Sequence, residues 1–174
     1  MKKVLQFAGI ISLALAVVAF ILMLATPAVV YTSGSNSTFF AGALAVFGGK
    51  LDTAQKLVLL TTKDAALAVM GLLAWIFTLV GMIIVLLGVI LPLLKINALE
   101  KFSIFFDLAA LVLFVVGGVF MFIVLPSFLS AQGINNVPDG FAIGAGWVIG
   151  GILLIAAGVF AILPACAALL SKKK

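Results

Sequence analysis

The chain has 174 residues, of which 66% are hydrophobic and 9% are charged, and its mean hydropathy is +1.47. This composition lies far above the roughly 45–50% apolar usage of soluble domains, so it excludes a water-soluble fold. The formal net charge of +5 comes entirely from lysine, because the sequence has no arginine and no histidine. The lysines stand at the ends of apolar segments rather than on one face, so a nucleic-acid surface is not indicated.

Four apolar segments predict four transmembrane helices in a single domain that covers residues 1–174. The first follows Met1-Lys2-Lys3, as the apolar part of a secretory signal does. It is longer than the roughly 7–15 residues of such a signal, and it is long enough to cross a bilayer. The predicted spans cover about residues 4–26, 65–94, 102–125 and 141–170, and they form an up-and-down bundle.

The lysines that flank the spans predict the orientation of the bundle, because cytoplasmic loops carry an excess of basic residues. Trp75 and Trp147 then both fall near the outer leaflet, where an indole ring can be buried while its N–H group faces water. We expect a multi-pass protein of the plasma membrane with both termini in the cytoplasm. The lysines expected inside are Lys2, Lys3, Lys95, Lys101 and Lys172 to Lys174, and those expected outside are Lys50, Lys56 and Lys63.

Two segments are predicted to lie outside, at about residues 27–64 and 127–140. In the first, residues 31–38 are polar and suggest a flexible stretch, whereas residues 39–49 are rich in Phe, Ala and Gly. Because an apolar stretch in water is costly, we expect residues 39–49 to lie on the membrane surface, to pack over the bundle or to contact another subunit. A short surface helix is expected within residues 50–62, and the second outer segment is expected to be a polar loop.

The residue types that most catalytic and metal sites need are missing from the sequence. It contains no histidine and a single cysteine, Cys166, which leaves no Ser/His triad, no ordinary zinc or haem ligand set and no thiol pair. We therefore expect a protein that is not an enzyme and that holds no cofactor and no metal. Its expected partners are the lipid bilayer and either further copies of the chain or another membrane protein.

Asp107 is the one acidic residue inside a predicted span, and ionisable groups inside a membrane are functional candidates. It lies six residues after Lys101, about 9 Å along a helix axis. This depth favours an interfacial carboxylate that bonds Ser103, or Gln6 and Lys3 on the first helix. The alternative is a carboxylate that contacts a proton, an ion or a substrate. Asp107, Ser103 and Gln6 form the predicted intramembrane polar site.

Small residues recur one turn apart on the predicted helices. Gly146 and Gly150 form a GxxxG pattern on the fourth span, and such patterns let two helix backbones approach closely. Because Gly and Ala are abundant, packing among the four helices of one chain is favoured over an oligomer seam. These two glycines, together with Phe39, Phe40 and Phe47 of the apolar outer stretch, are the predicted helix-packing or assembly positions.

The layout resembles that of the claudin-like tetraspan proteins, which have four helices, a long first outer segment, a short second one and a very short inner turn. The claudin signature in the first outer segment has a Trp, a Gly-Leu-Trp and two cysteines. This segment contains neither Trp nor Cys, so no claudin residue roles are carried over. The chain is also similar to small four-helix membrane proteins of low-GC bacteria. In those proteins a Phe-rich stretch that ends in Phe-Gly-Gly, like Phe47-Gly48-Gly49 here, follows the first helix. That resemblance implies no known activity.

These features lead to a prediction and two alternatives. The prediction is an all-α membrane protein, not an enzyme, whose partly structured first outer segment self-assembles or acts as a scaffold. The first alternative is an oligomeric channel or small transporter with Asp107 near its cytoplasmic mouth. The second is an accessory subunit of a larger membrane complex.

Overall fold

The structure, a computed structural model, describes residues 2–93 and 103–171. Lys95, Lys101 and Lys172 to Lys174, which carry much of the orientation prediction, lie outside the described residues, as do the side chains of Lys2 and Lys3. Within the described ranges the helices are α1 (Lys2–Ala25), α2 (Gly42–Phe47), α3 (Thr53–Val58), α4 (Val69–Leu93), α5 (Ser103–Phe122), α6 (Val124–Ala131) and α7 (Ala145–Ser171), and the strands are β1 (Pro27–Ser33), β2 (Asn36–Ala41) and β3 (Phe141–Ile143).

Four of the described helices are long and apolar enough to cross a membrane, which confirms the prediction of four spans. The apolar stretches are Phe7–Ala25, Val69–Ile90, Ile104–Phe122 and Ala145–Cys166. Their outward faces carry large exposed side chains such as Phe7, Ile83 and Ile152. A helix that is apolar on its outer face as well as on its packed face needs an apolar solvent around it. The fold is therefore that of a multi-pass membrane protein.

The four long helices alternate in direction and pack in a ring in the order α1, α4, α5, α7. Gly9 near the start of α1 lies against Val89 near the end of α4. On the other side of α1, the Ser12 hydroxyl donates to the carbonyl of Ala157 in α7. The end of α1, the start of α4, the end of α5 and the start of α7 therefore meet at one end of the bundle. We call this the sheet end.

Small residues allow the helices of the ring to approach closely. Alanines at the centre of the bundle, such as Ala16, Ala74 and Ala157, are fully buried. Phe114 of α5 packs into the space that Gly81 leaves on α4. Because lipid is as apolar as the side chains that it would replace, close packing of this kind, rather than the hydrophobic effect, holds membrane helices together.

A three-stranded antiparallel sheet covers the sheet end, and the all-α prediction missed it. β1 pairs with β2 through a hairpin and with β3, which directly follows the second predicted outer segment, so the strand order is β2-β1-β3. The stretch predicted to be flexible forms the hairpin itself, with Tyr31 opposite Thr38 and Ser33 opposite Asn36. Gly34 adopts a left-handed φ of 61° in the turn, a conformation that glycine adopts without a steric penalty. Tyr31, Thr32 and Thr38 are of types that favour strands, and Val29 and Val30 just before the stretch continue β1.

Short elements complete the region that we call the cap, residues 27–68 and 124–144. α6 follows α5 almost directly and occupies Val124–Ala131, where the sequence predicts the start of a polar loop. β3 occupies the first residues of the predicted fourth span, so that α7 begins at Ala145, and α4 begins at Val69 rather than at about residue 65. The cap therefore contains helices and strands from both outer segments.

Candidate functional site

Backbone contacts fasten the cap to the ends of α1 and α7. The N–H group of Gly42 donates to the carbonyl of Thr26 at 2.9 Å, and that of Gly144 donates to the carbonyl of Ala28 at 2.9 Å. A Cβ atom at Gly42 would clash with the carbonyl oxygen of Met23, and one at Gly144 would clash with that of Pro27. Only glycine fits at these two close approaches, so the cap cannot shift on the bundle without breaking them.

The two tryptophans were predicted to keep their N–H groups in water, and the structure corrects this for both. Trp147 is fully buried, and its indole N–H donates to the carbonyl of Met23 at 2.9 Å. Carbonyls at the end of a helix have no partner within the helix, so this bond satisfies one of them in α1. The indole nitrogen of Trp75 is buried and has no hydrogen-bond partner.

The aromatic residues Phe39, Phe40 and Phe47 were predicted to share a role, but they lie in three different environments. Phe40 is fully buried, and its ring centroid is 5.5 Å from that of Phe128 and 6.5 Å from that of Phe141. It belongs to the core that joins the sheet to α6. This part of the apolar outer stretch therefore packs over the bundle, which was one of the three expected arrangements.

Phe47 lies at the level of the spans rather than on top of the cap. Its ring meets the ring of Trp75 edge to face, with centroids 5.3 Å apart. Trp75 is six residues after Val69, the first residue of α4, which is about 9 Å along the helix axis. Phe47 is 53% exposed, and at this depth lipid acyl chains can cover its free face.

Phe39 is the member of the group that remains exposed on the cap, with 55% of its surface free. Neighbouring residues of a strand point to opposite faces of the sheet. Because Phe40 points into the core, Phe39 points away from the bundle. It also lies on β2, an edge strand of the described sheet.

Gln55 ties the short helix α3 to this edge. Its side-chain nitrogen donates to the carbonyl of Phe39 at 2.7 Å, and its side-chain oxygen accepts from the backbone N–H of Asp52 at 3.0 Å. The Asp52 carboxylate accepts from the backbone N–H of Gln55 at 2.7 Å, which completes a capping box at the start of α3. Gln55 is buried, and it was not among the predicted site residues. A signal for it was present, because Asp followed three residues later by Gln resembles the capping-box pattern of Ser or Thr followed by Glu or Gln.

Gln132 joins the two outer segments in a similar way. Its side-chain nitrogen donates to the carbonyl of Ala66 at 2.9 Å, and its side-chain oxygen accepts from the N–H of Ala66 at 3.3 Å. The hydroxyl of Ser127 accepts from the N–H of Met70 in the first turn of α4 at 3.2 Å. Nothing in the spacing of the sequence distinguishes Gln132 or Ser127 from other polar residues of the outer segments, because their partners are backbone groups.

The predicted intramembrane polar site is described only at Asp107, because the side chains of Ser103, Gln6 and Lys3 lie outside the described residues. Asp107 is partly buried where α5 faces α4 and α7. A Cβ atom at Gly88 of α4 would stand 3.8 Å from its carboxylate, and the backbone of Ala165 in α7 lies beside the carboxylate. Ala165 follows Pro164, the proline inside α7, and prolines leave helix hydrogen bonds incomplete. The carboxylate thus lies at an irregular point of a neighbouring helix.

The other polar side chains buried in the described spans bond backbone carbonyls. The Ser12 hydroxyl donates to Ala157 at 2.7 Å, and the Thr78 hydroxyl donates to Ala74 at 2.7 Å. In the described ranges no group of three or more His, Cys, Asp or Glu side chains could hold a metal ion.

Gly146 and Gly150 both face other helices of the same chain. A Cβ atom at Gly146 would clash with the Thr26 side chain at the end of α1. One at Gly150 would stand 2.7 Å from the methyl carbon of Met121 in α5 and 3.5 Å from the carbonyl oxygen of Ala19 in α1. The close approach that the GxxxG pattern permits is thus used within the described bundle.

Comparison with protein-family models finds no match for this chain, and neither does comparison with curated proteins. The claudin-like layout and the resemblance to four-helix proteins of low-GC bacteria stay predictions from the sequence.

Proposed function

We propose that this chain is a non-enzymatic tetraspan protein of the plasma membrane that self-assembles, or acts as a scaffold for another membrane protein, through its first outer segment. The observation that supports the proposal is the exposed side chain of Phe39 near the middle of the edge strand β2. Phe39 points away from the bundle and is 55% exposed. A protein surface that covered this ring would remove it from water.

The backbone of β2 offers hydrogen bonds as well as an apolar side chain. In a strand the N–H and C=O groups of one residue point to the same side, and the groups of alternate residues point to opposite sides. Because the carbonyl of Phe39 receives Gln55 on the side away from β1, the N–H of Phe39 and both backbone groups of Ser37 face that same side, next to the bond from Gln55. Such an edge can add a strand from a partner.

The orientation of the chain is part of the proposal. Lys50, Lys56 and Lys63 lie in the cap, and the larger set of lysines flanks the opposite ends of the spans. An excess of lysine marks the cytoplasmic side, so the cap faces outward and both termini lie in the cytoplasm. A Thr62→Cys variant, at an exposed cap position away from Phe39, should react with a membrane-impermeant maleimide in intact cells in a Cys166→Ala background. Reaction only after cell lysis would contradict this orientation.

The assembly proposal is tested by the mass of the full-length protein in mild detergent and in lipid nanodiscs. We expect the wild-type chain to elute as an oligomer or with a partner, and we expect Phe39→Ser to reduce that assembly to a single chain. Val137→Ser is the matched control, because Val137 is also an exposed apolar residue of the cap, at 46%, but lies in the second outer segment. A wild-type monomer without partner in both media would contradict the proposal.

Crosslinking in the native membrane tests the same surface without detergent. In the Cys166→Ala background, Phe39→Cys is expected to form an intermolecular disulfide under mild oxidation if two copies meet along β2. Thr62→Cys, at an exposed polar position of the cap, serves as the control and should stay monomeric. A crosslink to a different protein supports the accessory-subunit alternative, in which the partner is part of a larger complex.

The channel alternative depends on Asp107, a partly buried carboxylate between three spans. It predicts that vesicles containing the protein pass ions and that Asp107→Asn alters the flux. If vesicles with the wild type and vesicles with Asp107→Asn both pass no ions, this alternative is contradicted and the scaffold proposal is unaffected. Gly88→Ala is a suitable control, since the added methyl group would approach the carboxylate only at an ordinary contact distance of 3.8 Å.

A further inference from the structure

Residues 50–64 form an excursion that leaves and rejoins the cap at one point. Gly49 and Ala65 pair across its base, with N···O distances of 3.0 and 2.8 Å. The excursion contains α3 and the turn that follows it. We call it the α3 excursion.

The α3 excursion has an inner and an outer face, and the outer face is unusually apolar. Leu51 and Leu59 point inward and are 6% and 5% exposed, whereas Leu57 and Leu60 are 74% and 89% exposed. Leu60 also has a left-handed φ of 51°, which is strained for a residue with a branched side chain. Gly or Asn would relieve this strain, so the conformation gives no reason for leucine at this position.

Tethers at the base and in the middle hold the α3 excursion close to the ends of the spans. Ala65 is four residues before Val69, where α4 begins. In the middle, Gln55 bonds the carbonyl of Phe39, and Phe39 is three residues before Gly42, whose N–H bonds Thr26 next to the end of α1. Three residues of extended chain cover about 10 Å. The headgroup layer of a bilayer is roughly 5–8 Å thick, so the α3 excursion lies at or just above that layer.

Exposed apolar residues also flank the base of the α3 excursion. Phe47, two residues before the base, is 53% exposed and packs on Trp75, six residues after the start of α4. On the other side of the base, Leu67 and Val69 are 40% and 57% exposed. The α3 excursion, with Leu57 and Leu60, therefore leaves the cap between exposed apolar residues next to the spans.

The charges of the α3 excursion match an anionic headgroup. Lys56 contacts Asp64 at 3.5 Å, and the Asp52 carboxylate accepts the N–H of Gln55 in the capping box. The remaining charged residues are Lys50 and Lys63, and both are exposed. Lysine side chains beside an apolar surface at the interface reach out to phosphate groups while their stems stay in contact with that surface.

We infer that the α3 excursion is an interfacial anchor that inserts Leu57 and Leu60 between the phospholipid headgroups of the bilayer that the chain spans, with Lys50 and Lys63 binding anionic phosphates. This surface is separate from Phe39, because it acts on lipid and not on a protein partner. The anchor would fix the height and tilt of the cap relative to the bilayer.

Spin labels on the full-length protein in nanodiscs test the anchor. In the Cys166→Ala background, a nitroxide is placed at Leu57→Cys, at Leu60→Cys or at the control Thr62→Cys, and its collisions with oxygen and with a water-soluble nickel chelate are measured. Oxygen concentrates in the bilayer and the chelate in water. We expect a severalfold higher ratio of oxygen to nickel accessibility at positions 57 and 60 than at position 62. Leu57 lies in α3, so its label is independent of the strained backbone at Leu60.

Two results would overturn the anchor. Nickel accessibility at positions 57 and 60 as high as at position 62 would place both leucines in water. Low accessibility to both oxygen and nickel at positions 57 and 60 would show that protein, and not lipid, covers them. Neither result depends on the Phe39→Ser experiment, so the anchor and the assembly surface can fail separately.

The lipid composition tests the role of the lysines. In nanodiscs of phosphatidylglycerol, replacing both lysines (Lys50→Gln with Lys63→Gln) should lower the oxygen-to-nickel ratio at position 57 severalfold. In phosphatidylcholine the oxygen-to-nickel ratio at position 57 should be the same with and without these two substitutions. An equal ratio in both lipids, with and without the lysines, would overturn the assignment of anionic phosphates to Lys50 and Lys63.

Discussion

The buried hydroxyl groups of the described spans each donate to one helix carbonyl, whereas the glutamine side chains Gln55 and Gln132 of the cap bond backbone groups outside helices through both their oxygen and their nitrogen. Thr78 donates to Ala74, one turn away on its own helix. In the cap, by contrast, the Gln132 side chain bonds the backbone of Ala66 through both its oxygen and its nitrogen. The two regions of one chain thus use polar side chains for different purposes.

The difference follows from what each region must satisfy. A helix in lipid bonds its own backbone groups, so its neighbours need only pack closely. The cap is made of short strands, short helices and connecting chain, whose backbone groups must find partners elsewhere. The cap therefore depends on a few specific hydrogen bonds and close approaches, and the bundle depends on many small contacts. Substitutions at matched positions in the two regions can test this comparison.

The largest effect is expected at the glycines that let the cap meet the bundle. In Gly42→Ala the new methyl group would clash with the carbonyl oxygen of Met23 in α1, and because backbone must move, we expect a loss of about 3 kcal/mol in the free energy of unfolding. Gly88→Ala, inside the bundle, is the control and should be neutral or stabilising by up to about 1 kcal/mol, since alanine favours helices. Thermal unfolding in detergent, followed by tryptophan fluorescence, compares the two variants. Equal melting temperatures would contradict the close approach of the cap to the bundle.

A smaller effect is expected from the indole N–H groups. Trp147→Phe keeps an aromatic ring but leaves the buried carbonyl of Met23 without its donor, which should cost about 1–3 kcal/mol. Trp75→Phe removes an N–H group that has no partner and keeps a ring next to Phe20 and Phe47. Its melting temperature, measured by circular dichroism, should therefore stay close to that of the wild type. A larger loss for Trp75→Phe than for Trp147→Phe would show that ring size, and not the hydrogen bond, determines stability at these positions.

The same contrast explains how much of the molecule the sequence could predict. The four spans are recognisable because crossing a bilayer requires about 20 consecutive apolar residues, a signal carried by each segment alone. The sheet is not recognisable in this way, because β1 finds its partner β3 more than 100 residues later and Phe141–Ile143 has the composition of the apolar span that follows. The separate roles of Phe39 and Phe40 could have been inferred from the alternation of a strand, had residues 31–38 been predicted to be extended.

The candidate site shows a similar limit. Asp107 stands out in the sequence because a carboxylate among apolar residues is rare. Its neighbours do not stand out, since Gly88 and Ala165 contribute a vacant space and a backbone group rather than a side chain. The exposed leucines of the α3 excursion are equally hidden, because leucine at a helical spacing looks the same whether it faces a core or a membrane. Residue type marked Asp107 as a candidate, and only the fold gave its surroundings.

The smallest effect, and the most local, is expected at Gln132. Gln132→Ala removes both hydrogen bonds to Ala66, but these lie in an exposed part of the cap where water can replace them, so the loss of global stability should be at most about 1 kcal/mol. Local opening should nevertheless become easier, because this side chain joins the two outer segments. Hydrogen exchange measured by mass spectrometry should show faster exchange in residues 65–68 and unchanged exchange in the spans. Ser130→Ala, at an exposed position of α6, is the control and should leave the exchange of residues 65–68 and of the spans unchanged. Faster exchange throughout α4 would contradict a local role and would mean that the cap and the bundle open as one unit.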